Sequence, residues 1–383
     1  MKKKRDRISQ ILQNFSLTVI SILLCFILAE AFLRYFYPQG DHFYQPDLVL
    51  GAKLIPGKVG IWNIEGQIIP VTINQFGFRG WNYPQIKTAG VFRVAILGDS
   101  YVEALQVAED KMFSYLLENK LNQKNTQLKY EVLPFGVSGY GTAQEYLLLT
   151  QEVQKFQPDL VVLAFTSAND VRNNLPSLEK NKQRPYFSLK DGELKSIKPE
   201  IQDSWLKIIN RFFLNYSYFY RFIIVRVSRL PLPNQRASGD NIPIDFWIYS
   251  CDYNQVWQDA WQVTQKLILQ MQSEAKKNHS KFLLLNLTGY PQIHENEGLT
   301  QLVKKYPDMT GKCWDLNKPG KILAEFVQRN QIIYLDLLPA FIKDYQVTRK
   351  EAHFLQDGHW NEYGHQLAAE IFGKFLQDNL LNK

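Results

Sequence analysis

The chain has 383 residues, of which 45% are hydrophobic, and a formal net charge of +7, so the apolar share is ordinary and a sizeable core can form. Much of the positive excess sits at Lys2, Lys3, Lys4, Arg5 and Arg7 and in one stretch of mid-chain. Neither place carries a nucleic-acid motif, so the charge points to a membrane surface and away from a nucleic-acid partner.

From Ile8 to Ala29 there is no charge, the run is strongly apolar from Phe15, and it continues past Glu30 to Leu33. A bilayer-spanning helix needs roughly 20 such residues. Ala29-Glu30-Ala31 resembles a small-x-small cleavage site, but the apolar region outlasts the core of a signal peptide, so an uncleaved anchor is expected. The basic residues before the span place the N-terminus in the cytoplasm and the rest outside, which in a bacterium is a single pass through the inner membrane into the periplasm. Glu30 and Arg34, four apart at the outer end, can pair or snorkel. Cys25 lies in the span, and Cys251 and Cys313 can either pair or stay as buried thiols.

The expected division is a basic tail at 1–14, an anchor at 15–36, a segment rich in Gly and Pro at 37–90, and a main domain at 91–383. In the third part, alternating patterns at Val59–Ile64 and Ile68–Ile73 read as a small β-hairpin against the main domain or as a stalk, without chemistry of its own. From Val91 the period changes. Short apolar runs at 92–97, 130–134, 159–165, 281–287 and 332–336 read as buried parallel strands, with helices at 111–123, 142–156, 253–278, 318–330 and 361–380. An insertion at about 172–250 is expected to be helical. Within 204–239 it is aromatic and basic, with Lys207, Arg211, Arg221, Arg226, Arg229 and Arg236 and no acid. Two readings are open: a cap packed on the main domain, or a helix in the headgroup region of the membrane.

Candidate chemistry gathers where an open parallel sheet forms its sites, at the carboxyl ends of the strands. Gly98-Asp99-Ser100 ends the first strand, where a serine is either a nucleophile or a helix cap. Ser138-Gly139 follows the second. Asn169-Asp170 follows the third, where Asn169 can donate to a developing oxyanion or cap a turn. Near the C-terminus, Asp357-Gly358-His359 places an acid two residues from a histidine in a loop before a helix, a pattern suited to a general base. His353, His359 and His365 are six apart, a spacing that does not put all three on one helical face. No thiolate or carboxylate cluster completes a zinc site, so no metal is expected. Asn361 and His365 read as capping or packing the last helix.

Taken in order, these four loops resemble the blocks of the SGNH (GDSL-like) hydrolase superfamily, from Phe92 to about Phe375 with the insertion unmatched. The fold class that goes with it is α/β, a flavodoxin-like three-layer sandwich with a five-stranded parallel sheet, here preceded by the transmembrane helix. The resemblance implies that Ser100 attacks an ester carbonyl, that His359 takes its proton, that Asp357 orients the imidazole, and that Ser100, Gly139 and Asn169 form the oxyanion hole, without a cofactor. Two departures stand out: Ser167 occupies the usual glycine of the third block, and the last block is Asp-x-His where Asp-x-x-His is common. The shorter spacing looks like envelope members that add or remove acetyl groups on polysaccharides. Three activities follow: an esterase acting on O-acyl, expectedly acetyl, groups of an envelope glycan, lipid-linked substrate or small ester; an O-acyltransferase with a sugar hydroxyl as acceptor; and an inactive glycan-binding or assembly protein.

Overall fold

The computed structural model describes residues 2–123, 128–201, 204–228 and 241–381, with side chains from residue 7 onward. Along the chain, helix α1 (Lys2–Phe36) precedes the short strands β1 (Tyr44–Asp47), β2 (Gly51–Leu54), β3 (Val59–Ile64) and β4 (Gln67–Thr72). Then come β5 (Val91–Gly98), α2 (Ser100–Glu103), α3 (Phe113–Asn122), β6 (Lys129–Gly136), α4 (Thr142–Gln151), β7 (Leu160–Phe165) and α5 (Ser167–Arg172). The insertion carries not only helices but an antiparallel ribbon, β8 (Tyr186–Lys190) with β9 (Glu193–Ile197), before α6 (Trp205–Tyr216) and α7 (Tyr218–Ser228). The remainder is α8 (Gln255–Lys277), β10 (Lys281–Asn286), α9 (Tyr290–Ile293), α10 (Glu295–Lys305), α11 (Lys318–Asn330), β11 (Ile333–Asp336), α12 (Leu338–Thr348) and α13 (Glu362–Leu376).

The central sheet has the order β11-β10-β7-β5-β6 and every pairing in it is parallel. Counted by strands of this sheet it runs 2-1-3-4-5, the flavodoxin-like order, whose switch point lies between the first and third strands. Its strands read as unbroken apolar runs because both faces are covered. On one face Val94, Ile96, Val132, Val162 and Leu283 share a core with Phe113 and Leu117 of α3, Phe341 of α12 and Phe372 of α13. The other face meets α4 and α8, where the Phe165 ring stacks on Trp261 with centroids 6.3 Å apart. The α/β class, the five strands and the N-terminal apolar helix are therefore as expected from the sequence.

Two compact units divide these elements. The larger holds the sheet, its helices and most of the segment before β5. That segment is built into the domain by buried hydrogen bonds. Tyr140 donates to the Ala52 carbonyl at 2.6 Å and Gln144 to that of Leu50 at 2.7 Å. Arg79 is buried and donates to the carbonyls of Ala104 and Val107. Cys251 and Cys313, within this unit, form a disulfide.

The smaller unit comprises α1, the residues up to His42, Ile61–Asn63 and helices α6 and α7. Here the C-terminal end of α1 closes both helix ends of the α6–α7 corner. Glu30 accepts from the Tyr218 and Phe219 amides and the Ser217 hydroxyl, each at 2.9 Å, capping α7. Arg34 binds Glu30 at 2.7 Å and donates to the Tyr216 carbonyl, the last of α6, at 2.5 Å. A carboxylate on helix-start amides and a cation on a helix-end carbonyl are both favourable pairings. Phe219 and Phe222 set their rings against Phe26 and Tyr37, and the Arg221 guanidinium holds Asp41 at 2.6 Å. In contrast, α6 buries none of its residues. Arg229 and Arg236 of the basic segment lie outside the described residues.

Candidate active site

Ser100 begins α2 immediately after β5. Asp99 caps that turn, its Oδ1 accepting the Tyr101 amide at 3.0 Å. The neighbouring strand end must come very close: a Cβ on Gly136 would lie 2.2 Å from the Glu103 nitrogen, so only glycine leaves room for α2. The serine is thus delivered at the carboxyl edge of the sheet, beside the switch point.

His359 reaches it from the loop before α13. Its Nε2 stands 2.6 Å from Ser100 Oγ, and its Nδ1 stands 2.5 Å from Asp357 Oδ1. The shorter acid-to-histidine spacing is accommodated by a tight turn. The Phe354 amide donates to the His359 carbonyl at 2.8 Å and the Gly358 amide to that of Phe354 at 2.9 Å, with Gly358 at φ 85°. Trp360, fully buried, roots this turn in the core by stacking on Phe341 at 5.4 Å and donating to Thr288 Oγ1 at 3.1 Å. Tyr101 adds a second brace: its ring lies 5.1 Å from the imidazole and its hydroxyl donates to the Gly358 carbonyl at 3.1 Å.

The electrostatics suit a base. Burial alone would lower the His359 pKa, but the hydrogen bond and charge of Asp357, with Asp99 and Glu103 behind, raise it above the ordinary histidine value. Burial would raise Asp357, yet its bonds to His359 hold it below the usual carboxylate range. His353 and His365 serve packing instead. Both are buried, and burial pushes each pKa down to about 3. His365 Nδ1 accepts the Phe113 amide at 3.3 Å, and Asn361 caps α13 by accepting the Gly364 amide at 3.0 Å.

The remaining positions lie on the loops after β6 and β7. Asn169, on α5, donates through Nδ2 to Asp99 Oδ2 at 2.6 Å, leaving its second N–H. Gly139 turns at φ 77°, in the left-handed region that favours glycine. No hydrogen bond among the described residues engages the Ser100 or Gly139 amide. Ser167, in place of the usual glycine, is buried as the first residue of α5.

Several supporting residues escaped the sequence reading. Glu65, between β3 and β4, accepts the Gln356 and Asp357 amides at 2.8 and 3.1 Å and so holds the loop that carries Asp357. Glu103 is buried beneath the glycine loop, accepts the Ser138 amide at 2.7 Å and the Tyr44 hydroxyl at 3.0 Å, and is pushed by burial to a pKa of about 7. Nothing in the sequence around Glu65 or Tyr44 signals these contacts, which span 291 and 59 residues.

No protein-family model and no curated protein matches the sequence. Among solved structures the chain is similar to an acetyl xylan esterase, AlAXEase, at 15% identity over 74% of this chain and 100% of that one, with a TM-score of 0.40. It is also similar to TesA at 12% identity, over 75% of this chain and 98% of that one, with a TM-score of 0.39. A third is a catalytic mutant of Axe2, an acetylxylan esterase from Geobacillus stearothermophilus, at 11% identity over 76% and 95% of the two chains and a TM-score of 0.41.

Proposed function

We propose that this chain is a membrane-anchored serine esterase of the SGNH type that cleaves O-acyl groups, acetyl first among them, from an envelope glycan or lipid-linked substrate. The observation that carries this reading is the continuous hydrogen-bonded chain from Asp357 through His359 to Ser100. In the reaction it supports, Ser100 Oγ adds to the ester carbonyl as its proton passes to His359 Nε2. Asp357 stabilises the resulting imidazolium. The tetrahedral oxygen takes its negative charge where the amides of Ser100 and Gly139 and the second N–H of Asn169 can donate to it. Collapse breaks the bond to the sugar oxygen, which leaves with the proton from His359, and the acyl group stays on Ser100. Water, deprotonated by the same nitrogen, then releases the acid.

The anchor belongs to the same reading. Among the described residues one helix, Arg7–Phe36, is long and apolar enough to span a bilayer. Cleavage after Ala31 would remove Glu30 and strip α7 of its cap, so we place α1 in the mature protein as a single inner-membrane pass with a cytoplasmic N-terminus. The Cys251–Cys313 disulfide suits an oxidising space outside the cytoplasm.

The test uses the full chain in detergent with a fluorophosphonate probe and p-nitrophenyl acetate. Wild type should be labelled and turn over, and Ser100→Ala and His359→Ala should do neither above background. An unlabelled, inactive wild type sinks the proposal in favour of a glycan-binding role. Product analysis with acceptor sugars present separates hydrolysis from acyl transfer.

A further inference from the structure

Beside the glycine loop lies a cavity of about 330 Å³, lined in part by Tyr44, Ser138, Gly139, Gln144, Asn181 and Arg184. It touches the reacting centre only through Ser138 and Gly139. Its volume is at the low end of small-molecule sites, roughly 300 to 1,000 Å³. Its lining of amides, hydroxyls and one guanidinium is the chemistry that meets sugar hydroxyls.

Arg184 is the unusual member. Its Nη2 donates to the Gly139 carbonyl and to Gln144 Oε1, the latter at 2.5 Å, which fixes the side chain. Nη1 makes no hydrogen bond among the described residues, and no carboxylate among them stands within ion-pair distance of this guanidinium. The acid whose charge acts on it, Glu179, is engaged with Arg172 at 3.4 Å. Burial disfavours the charged guanidinium. A largely desolvated cation with no direct ion pair among the described residues, at the wall of a polar cavity, is costly unless an anion arrives with the ligand.

We propose that this cavity is a substrate subsite in which Arg184 binds the carboxylate of an acidic sugar residue, so that the acylated glycan is a uronate polymer. The inference rests on the esterase reading for its link to chemistry, but binding itself does not require turnover. One guanidinium, with no other cation among the lining residues, matches a monoanionic carboxylate better than a dianionic phosphate. The side-chain NH2 of Asn181, in the same lining, makes no hydrogen bond among the described residues and can meet a ring hydroxyl.

The experiment titrates the full-length Ser100→Ala protein in detergent with a uronate tetrasaccharide, its carboxyl-reduced neutral counterpart and inorganic phosphate. The uronate should bind roughly tenfold or more tighter than the neutral sugar, an advantage that shrinks at high salt. Adding Arg184→Gln should remove the difference, and Arg184→Lys should retain part of it. Equal binding of the two sugars, or a preference that survives Arg184→Gln, overturns the proposal; tighter binding of phosphate overturns the assignment to a carboxylate. If Arg184→Gln does not fold, the salt dependence and the lysine variant decide. Fluorophosphonate labelling of wild type without any uronate preference removes the subsite alone. A uronate preference without labelling removes the esterase reading and leaves a glycan-binding site.

Discussion

At the scale of single residues, His359 as the proposed base is expected to set the pH response. Its pKa is raised above the ordinary value of about 6.5, and only the neutral imidazole can accept the Ser100 proton. The acid limb of kcat/KM should therefore have its midpoint above that value. Asp357→Asn removes the charge that contributes most to raising it, so the limb should move to lower pH while kcat falls by roughly a hundredfold or more; an unmoved limb at full activity would show that Asp357 is not the orienting acid. Glu65 acts one step further out. Glu65→Ala frees two loop amides and should lower kcat roughly tenfold with little change in KM, whereas Glu65→Gln keeps an acceptor oxygen and should recover most of the loss. A third case concerns stability. Glu145 and Asp170 are both buried, and each pKa is pushed well up by burial first, then by the charge of Asp170 on Glu145 and of Asp99 on Asp170. Raised carboxyls mean that the folded state binds protons more tightly, so the stability they allow is full at acid pH and lost as pH rises through the folded-state values. Glu145→Gln should thus raise Tm more at pH 8 than at pH 5, and thermal melts at both values check it.

At the scale of elements, the strands of the sheet were legible because parallel strands covered on both faces leave continuous apolar runs, and the predicted 92–97 and 281–287 fall within a residue or so of β5 and β10. The order of Ser100, Gly139, Asn169 and His359 was legible too, since each follows the end of a strand or precedes a helix. What sequence could not carry were contacts that span long separations with no local pattern. Tyr101 on Gly358 lies 257 residues away, and the choice between a pair and two thiols at Cys251 and Cys313 depends on the antiparallel bridge Ser250↔Trp314 that brings them together. The β8–β9 ribbon was masked by the aromatic composition of the helices after it. Trp360, adjacent to His359, couples the last loop to the core through Phe341, Phe113 and Tyr101. Trp360→Ala should cost about 3–5 kcal/mol in urea unfolding, and because it loosens the turn that holds His359, activity should fall even where the protein remains folded.

At the scale of the whole molecule, α6 leaves Trp205, Leu206, Ile208 and Phe212 more than half exposed, on a corner clamped to the outer end of the proposed membrane span. An exposed apolar helix so tethered is expected to sit at the lipid interface. In nanodiscs of wild type, lipids brominated near the headgroup should quench a share of tryptophan fluorescence that Trp205→Phe removes; quenching identical in both would place Trp205 away from lipid. Alkaline carbonate should leave the protein in the membrane fraction if α1 is retained.

The Glu30 clamp also imposes an order on biogenesis. Glu30 and Ser217 are 187 residues apart, so at ordinary rates of synthesis, about 5–20 residues per second, roughly ten to forty seconds separate their emergence. Throughout that interval the C-terminal end of α1 carries a carboxylate without its helix. Glu30 becomes a receptor waiting at the end of α1 for a later part of its own chain, and a pulse-chase of Glu30→Ala should show slower acquisition of protease resistance than wild type.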